Sequence, residues 1–93
     1  MDKNIFNNLL TKIYDLQTRL KEYNSFKSEH FKKGNCDVTS KIEFNDKDGN
    51  YCLASFTLDS KTSNDILTLL IEGTKTELES TAELIKTMIT EEE

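Results

Sequence analysis

The chain has 93 residues, of which 35% are hydrophobic and 31% charged, and its formal net charge is −5. This composition is too polar for a membrane protein and too apolar for a disordered acidic tail, and the length fits one small domain. No run approaches the ~20 apolar residues of a membrane span, and the start, Met1-Asp2-Lys3-Asn4, lacks the features of a signal peptide. We therefore expect a single cytoplasmic domain over residues 1–93.

The first predicted helix covers about residues 3–33. Its apolar residues recur in alternating steps of three and four, which is typical of a heptad seam. The seam consists of Phe6, Leu9, Ile13, Leu16, Leu20 and Tyr23. Ile5 and Leu10 widen this stripe. Lys32-Lys33-Gly34 is a typical helix stop, because cations suit the negative helix end and glycine adopts the left-handed conformation readily.

A β-hairpin is predicted next, over about residues 36–58, with strands at about 36–46 and 50–58. In both strands apolar residues alternate with polar ones, as expected when one face of a sheet is covered. The alternating apolar residues are Val38, Ile42, Phe44, Cys52, Ala54, Phe56 and Leu58.

The strand register follows from this pattern and the turn. The apolar residues share a face if Phe44 opposes Cys52 and Ile42 opposes Ala54. That register leaves Lys47-Asp48-Gly49 as a three-residue loop. Glycine in the last position is typical of such a loop, because this position needs a positive φ.

The second predicted helix covers about residues 62–91, with Thr62 or Ser63 as its N-cap. It has a second seam in steps of three and four, made by Leu67, Ile71, Thr74, Leu78, Thr81, Ile85 and Met88. Gly73 interrupts the helix, and Thr74-Lys75-Thr76-Glu77 after it has the pattern of a capping box. A continuous helix and one that bends or breaks at Gly73 are both compatible with this pattern.

The two cysteines, Cys36 and Cys52, both lie in the predicted hairpin. The predicted register separates them by roughly 27 Å, which excludes a disulfide within the chain. Two thiols and one histidine also do not make the four ligands of a structural zinc site. We therefore expect both cysteines to be buried as small apolar residues.

Charge is distributed unevenly along the chain. Residues 1–33 carry a balance of +3, and residues 60–93 carry a balance of −5. Opposite signs favour pairing of the two helices, within a chain or between chains, although two solvated faces explain the pattern equally well. The only basic cluster, at residues 27–33, is interspersed with an acid, so direct binding of nucleic acid is not expected.

The sequence contains no catalytic, cofactor or metal motif. The acidic loop at residues 45–50 fails as a calcium loop, because Phe44 and Ser55 stand where the first and twelfth ligands are needed. His30 has no partner that would orient it as a base. We therefore predict a protein that is not an enzyme and has no cofactor.

Five residues are candidates for an interface. Tyr51 and Leu53 are apolar and alternate onto the outer face of the hairpin, where the chain offers them no partner. Thr74 and Thr81 occupy seam positions where a polar residue often sets register or oligomeric state, or else lies at a partly exposed seam edge. Gly73 would let another backbone approach closely.

The layout resembles two kinds of protein. A helix, a β-hairpin and a helix with matched heptad seams resemble the prefoldin subunit in architecture, although these helices are shorter and no prefoldin motif is present. The passage from Phe56 to Glu72, after an Asp-Gly-Asn turn, is similar to small phage and prophage proteins. The first resemblance implies assembly through hairpins, and the second implies roles such as inhibition of a host defence.

These observations predict an α+β fold of the order α-β-β-α and a function as a non-catalytic interaction protein. Such a small chain buries only one stripe per helix, so we expect it to form a homo-oligomer and to bind a host or phage protein. Three alternatives stay open at this point. They are an acidic mimic of DNA that inhibits a defence protein, a prefoldin-like holdase, and a sponge for small ligands with sites between subunits.

Overall fold

The computed structural model describes residues 2–31 and 38–92, and it has the predicted order of helix, hairpin and helix. Its elements are helix α1 (Lys3–His30), strands β1 (Ser40–Asn45) and β2 (Cys52–Leu58), and helix α2 (Ser60–Glu92). The two strands form one antiparallel sheet. The α-β-β-α fold class is therefore confirmed.

The two helices pack against each other in antiparallel orientation. Lys12 contacts Glu77, whereas Lys27, farther along α1, contacts Thr68, which lies earlier on α2. The predicted seams lie at this contact, since every seam residue is buried or half-buried. The buried apolar residues among them are Leu16, Leu67, Ile71 and Ile85. The helix pair therefore contains the hydrophobic core of the described chain.

Both helices begin at an aspartate. The Asp2 carboxylate accepts hydrogen bonds from the backbone N–H groups of Asn4 and Ile5, at 2.8 and 3.3 Å. The Asp59 carboxylate accepts one from the N–H of Thr62 at 2.8 Å. The predicted N-cap of the second helix, Thr62 or Ser63, is therefore wrong. Asp59 caps the helix instead of Thr62 or Ser63, because its carboxylate follows directly after the strand and reaches the free N–H groups of the first turn.

The helices end close to the predicted positions. α1 ends at His30, three residues before the predicted end, and the N–H of Phe31 bonds the Lys27 carbonyl at 2.9 Å. The predicted stop signal, Lys32-Lys33-Gly34, lies outside the described residues. α2 runs without a break through Gly73, so the capping-box alternative is wrong.

The hairpin has a different register from the predicted one. Phe44 opposes Ala54 and Ile42 opposes Phe56, a shift of two residues, with an irregularity between Phe44 and Asn45. The turn is longer than predicted, because Asp46 closes it by pairing with Tyr51. A shift of two residues keeps the side chains from Ser40 to Phe44 and their partners on the predicted faces, whereas Asn45 and Cys52 lie beyond the irregularity.

The predicted strand bounds need the matching correction. β1 begins at Ser40 and not near residue 36; Val38 and Thr39 precede it without strand structure, and residues 36–37 lie outside the described chain. β2 begins at Cys52 and not at Asn50, because the longer turn takes Asn50 and Tyr51. Gly49 has a φ of +75°, as the turn prediction required.

The molecule is elongated and thin. Its radius of gyration is 17.7 Å, whereas a compact domain of this length has about 12 Å. The Cα positions extend over 52 × 37 × 14 Å, so the thin dimension is close to the width of two packed helices. No additional layer covers the described hairpin.

Candidate functional site

The apolar side of the hairpin is exposed. We call this surface the hairpin face; it consists of Ile42, Phe44, Ala54 and Phe56. The rings of Phe44 and Phe56 pack edge to face with centroids 6.0 Å apart, yet 55% and 53% of these two residues remain accessible. An uncovered pair of aromatic residues is costly in water, because each exposes a large apolar area.

The other side of the hairpin is more polar. Lys41 and Glu43 project from β1 on that side and form an ion pair at 3.3 Å. Ser55 and Thr57 alternate onto the same side of β2. The two faces therefore differ chemically, and only the hairpin face is free of charged side chains.

An open groove continues from the hairpin face to the helices. It has a volume of about 290 Å³ and lies where β1 meets the end of α1 and the start of α2. Its apolar lining comes from Phe26, Phe31, Val38, Ile42, Ile66, Leu67 and Leu70. Thr39, Ser40, Lys41 and Ser63 complete the lining. Ile42 belongs to both surfaces, so the groove and the hairpin face adjoin each other at this residue.

Serine residues join the hairpin to the helix pair at its base. The hydroxyl of Ser60 donates to the Val38 carbonyl at 2.6 Å, and the hydroxyls of Ser40 and Ser63 are hydrogen-bonded at 2.5 Å. Sequence reasoning missed this joint, because isolated serines carry no pattern that indicates a long-range partner. The joint fixes the base of the hairpin and leaves its strands uncovered.

Tyr51 and Leu53 are accessible, as an interface role requires. Tyr51 lies at the end of the turn, and 72% of its surface is exposed. Leu53 lies on β2 with 69% of its surface exposed, and its side chain is on the opposite side of the sheet from that of Ala54. Neither is covered by another part of the described chain. Their participation in an interface stays a prediction.

Thr74 and Thr81 have a different environment from these two residues. Both are buried in the helix pair, and their hydroxyls donate to the carbonyls of Leu70 and Glu77, one turn earlier, at 2.7 and 2.8 Å. The alternative of a partly exposed seam edge is therefore wrong. The seam that these threonines occupy lies within one chain, and a role between chains stays a prediction.

Gly73 is exposed on α2. A Cβ atom added to it would meet nothing within 4 Å. Close approach of the chain's own backbone is therefore not the reason for this glycine. Close approach of another chain stays a prediction.

Cys52 differs from the prediction in its exposure to solvent. Its thiol is free and exposed on the strand, so the predicted burial is wrong. The prediction failed because it assumed that the apolar side of the hairpin was covered. Cys36 lies outside the described residues.

Electrostatic contacts across the helix pair are sparse. In the described chain, one ion pair joins the helices, between Lys12 and Glu77 at 3.1 Å, and both side chains are about half exposed. Such a pair stabilises little. The opposite charges of the helices thus agree with their pairing but do not drive it.

The carboxyl of Asp59 has a lowered pKa in the folded chain. Hydrogen bonds from the backbone and side chain of Thr62 lower the pKa of its carboxyl below 3.8, and nearby Lys61 acts in the same direction. The causes are those of a helix N-cap. This carboxylate is structural and shows no sign of a chemical role.

The exposed side of α2 is acidic. Asp65, Glu72 and Glu79 follow one another at seven-residue intervals on the side away from the seam, and all are exposed. In the part of the chain that the structure describes, no three His, Cys, Asp or Glu side chains converge to hold a metal ion. Neither described helix has an apolar stretch able to cross a membrane.

The total accessible surface is larger than that of a compact chain. It amounts to 7315 Å², whereas a folded monomer of this mass exposes about 5,500 Å². The excess of roughly 1,800 Å² belongs to the whole elongated chain and includes both polar and apolar surface.

Comparison with protein-family models, curated proteins and solved structures finds no match to this chain. The resemblances to prefoldin subunits and to phage proteins therefore stay predictions.

Proposed function

We propose that the protein is a non-catalytic interaction module that self-associates and binds another protein in the cytoplasm. The observation that carries this proposal is the uncovered hairpin face, where Phe44 and Phe56 remain 55% and 53% exposed. Apolar side chains that are exposed next to one another mark interaction sites, whereas singly scattered ones are ordinary. A two-stranded hairpin is also marginally stable unless something packs on it.

Binding of a second protein is assigned to the outer side of the hairpin, at Tyr51 and Leu53. Tyrosine is enriched at interfaces because it offers a large apolar area and a polar end. Both residues are more than two-thirds exposed, so a partner reaches them without rearrangement. A host or phage protein remains the proposed class of partner.

Solution mass tests self-association directly. Light scattering over a concentration series should give a dimer or larger species that dissociates on dilution or persists throughout. A monomer at all concentrations would contradict self-association. An acidic inhibitor that acts as a single chain would then be the better hypothesis, and its binding to a basic protein should weaken strongly with salt.

Partner binding is tested with the Tyr51→Ala/Leu53→Ala variant. It should retain the mass of the wild type and lose a protein that the wild type captures from host extract. The matched control is Lys41→Ala, which alters the same side of the hairpin but leaves Tyr51 and Leu53 in place. Equal capture by the Tyr51→Ala/Leu53→Ala variant and the wild type would show that the outer side is not the binding surface.

A further inference from the structure

We infer that an extended segment of a partner protein adds as a third strand along the free edge of β1 and fills the groove beside that edge. The segment carries apolar side chains at alternate positions. This inference goes beyond the proposed function, because its surface differs from the outer side at Tyr51 and Leu53 and does not depend on self-association.

Strand β1 has a free hydrogen-bonding edge. It pairs with β2, and its residues make no other backbone hydrogen bond within the described chain. Since alternate residues of an antiparallel strand direct their N–H and C=O groups away from the paired strand, one row of these groups points outward. Such an edge accepts an extended chain as an additional strand.

The groove follows this edge. Five consecutive residues, from Val38 to Ile42, line it, although successive side chains of a strand point to opposite faces of the sheet. A cavity that contacts all five therefore follows the backbone and not one face of the hairpin. No described residue of β2 lines the groove, so it adjoins the free edge of β1 and not that of β2.

The opposite wall of the groove is apolar. Phe26 and Leu70 lie there and remain 43% and 46% exposed, and Ile66 beside them is half-buried. An extended peptide matches both walls, because its backbone pairs with β1 while every second side chain lies on the same side as Ile42. A helix or a small apolar molecule would leave the backbone groups of the edge unpaired.

The groove has room for one extended chain. Its volume of about 290 Å³ is spread over the ~14 Å from Val38 to Ile42, which gives a cross-section of roughly 20 Å², close to the square of the ~4.8 Å spacing between strands. A second copy of this chain would bring its own β2 and both helices together with its β1. Because the helices of the first copy form the opposite wall, a single segment fits this space better than the edge of a folded copy.

Charge selects the kind of segment that fits. Lys41 is the one charged residue in the described lining of the groove. It lies at the rim, since it projects to the outer side of the hairpin. A cation there favours a neutral or acidic segment over a basic one. The ion pair with Glu43 weakens this preference, so the apolar contacts contribute most of the affinity.

The first test uses a displayed library of random peptides of about eight residues as the probe. The wild type should enrich peptides with apolar residues at alternate positions. In the most enriched peptide, N-methylation of single amides should weaken binding by about tenfold or more at alternate positions and leave it unchanged at the positions between, because only alternate N–H groups face β1. Equal effects at all positions, or a library without enriched peptides, would overturn the inference.

Two protein variants locate the bound peptide. Leu70→Asp places a charge on the apolar wall and should weaken binding by about tenfold or more, because it removes apolar area from the groove. Leu69→Asp is the matched control, since Leu69 is 65% exposed on α2 and does not line the groove, and it should bind like the wild type. Far-ultraviolet circular dichroism should show the helices intact in both. Equal binding by the two variants would place the peptide elsewhere and contradict the inference.

A last outcome concerns a second copy of the chain. If no peptide is enriched, and if Leu70→Asp but not Leu69→Asp abolishes self-association, a second copy lies along β1 and the inference is wrong. The proposed function is tested separately, by solution mass and by capture with the Tyr51→Ala/Leu53→Ala variant, so the two failures are distinguishable.

Discussion

The helix pair and the hairpin differ in how far the chain covers their apolar surfaces. The helices cover their seams with each other and bury four apolar residues, the most enclosed being Leu16 at 3% exposure. The hairpin has an equally regular apolar face, yet two of its phenylalanines remain more than half exposed. An apolar pattern therefore predicts that a face is covered but does not say by which chain. In this molecule one region is completed within the chain, and the other is not covered by any part of the described chain.

The largest expected effect comes from breaking the helix pair. Leu16→Ala should destabilise the protein by about 2–5 kcal/mol, because it removes buried apolar volume and leaves a cavity. Urea unfolding followed by circular dichroism measures this change. Leu69→Ala is the control, since Leu69 is 65% exposed on α2 and its truncation should cost less than about 0.5 kcal/mol. Equal losses in the two variants would contradict the helix packing described above.

The second-largest expected effect is a loss of stability in the hairpin. Gly49→Ala should destabilise the turn by about 1–2 kcal/mol, because alanine is strained at a positive φ. Hydrogen exchange of the strand amides should become about 5- to 30-fold faster, with the helix amides as the internal reference. Gly49→Asn should lie near the wild type, since asparagine tolerates this conformation. Unchanged strand exchange in Gly49→Ala would show that the turn does not limit hairpin stability.

A smaller effect, of opposite sign, is expected on α2. Gly73→Ala should stabilise the protein by about 0.5–1 kcal/mol, because alanine favours the helix and nothing obstructs the new Cβ atom. Thermal unfolding measures the gain, and solution mass is recorded for the same samples. A stabilised variant with weaker association would indicate that a second chain approaches the glycine, as the sequence predicted.

The smallest effect lies at the junction of hairpin and helix. The pKa of Asp59 is lower in the folded protein than the ordinary value of 3.8. The stabilisation from its charged cap is therefore complete above that value and is lost as pH falls through the folded pKa. At neutral pH, Asp59→Asn should cap α2 nearly as well as the wild-type aspartate does. Below pH 4, the variant should lose less stability than the wild type does, because asparagine has no carboxylate to be protonated. Identical acid profiles of Asp59→Asn and the wild type would show that this cap contributes nothing to acid unfolding.

Much of the architecture follows from local patterns in the sequence. The three- and four-residue steps determine both helices and the residues of their seam, because the helical period places those residues on one side. Alternation and a glycine in the turn determine the hairpin and its two faces. These features depend on near neighbours in the chain, so they could be predicted without a structure.

The tertiary structure decided the register of the hairpin, the start of α2 and the exposure of each face. The register moved by one residue because Asp46 closes a longer turn with Tyr51, and by a second residue at the irregularity between Phe44 and Asn45. Alternation cannot distinguish registers that differ by two. Cys52 is exposed because cover for the hairpin face depends on which elements meet in space. The same is true of the serine joint and the groove at Ile42, where residues distant in sequence converge. Pattern determines which side of an element is apolar, and only long-range packing determines whether the chain itself covers that side.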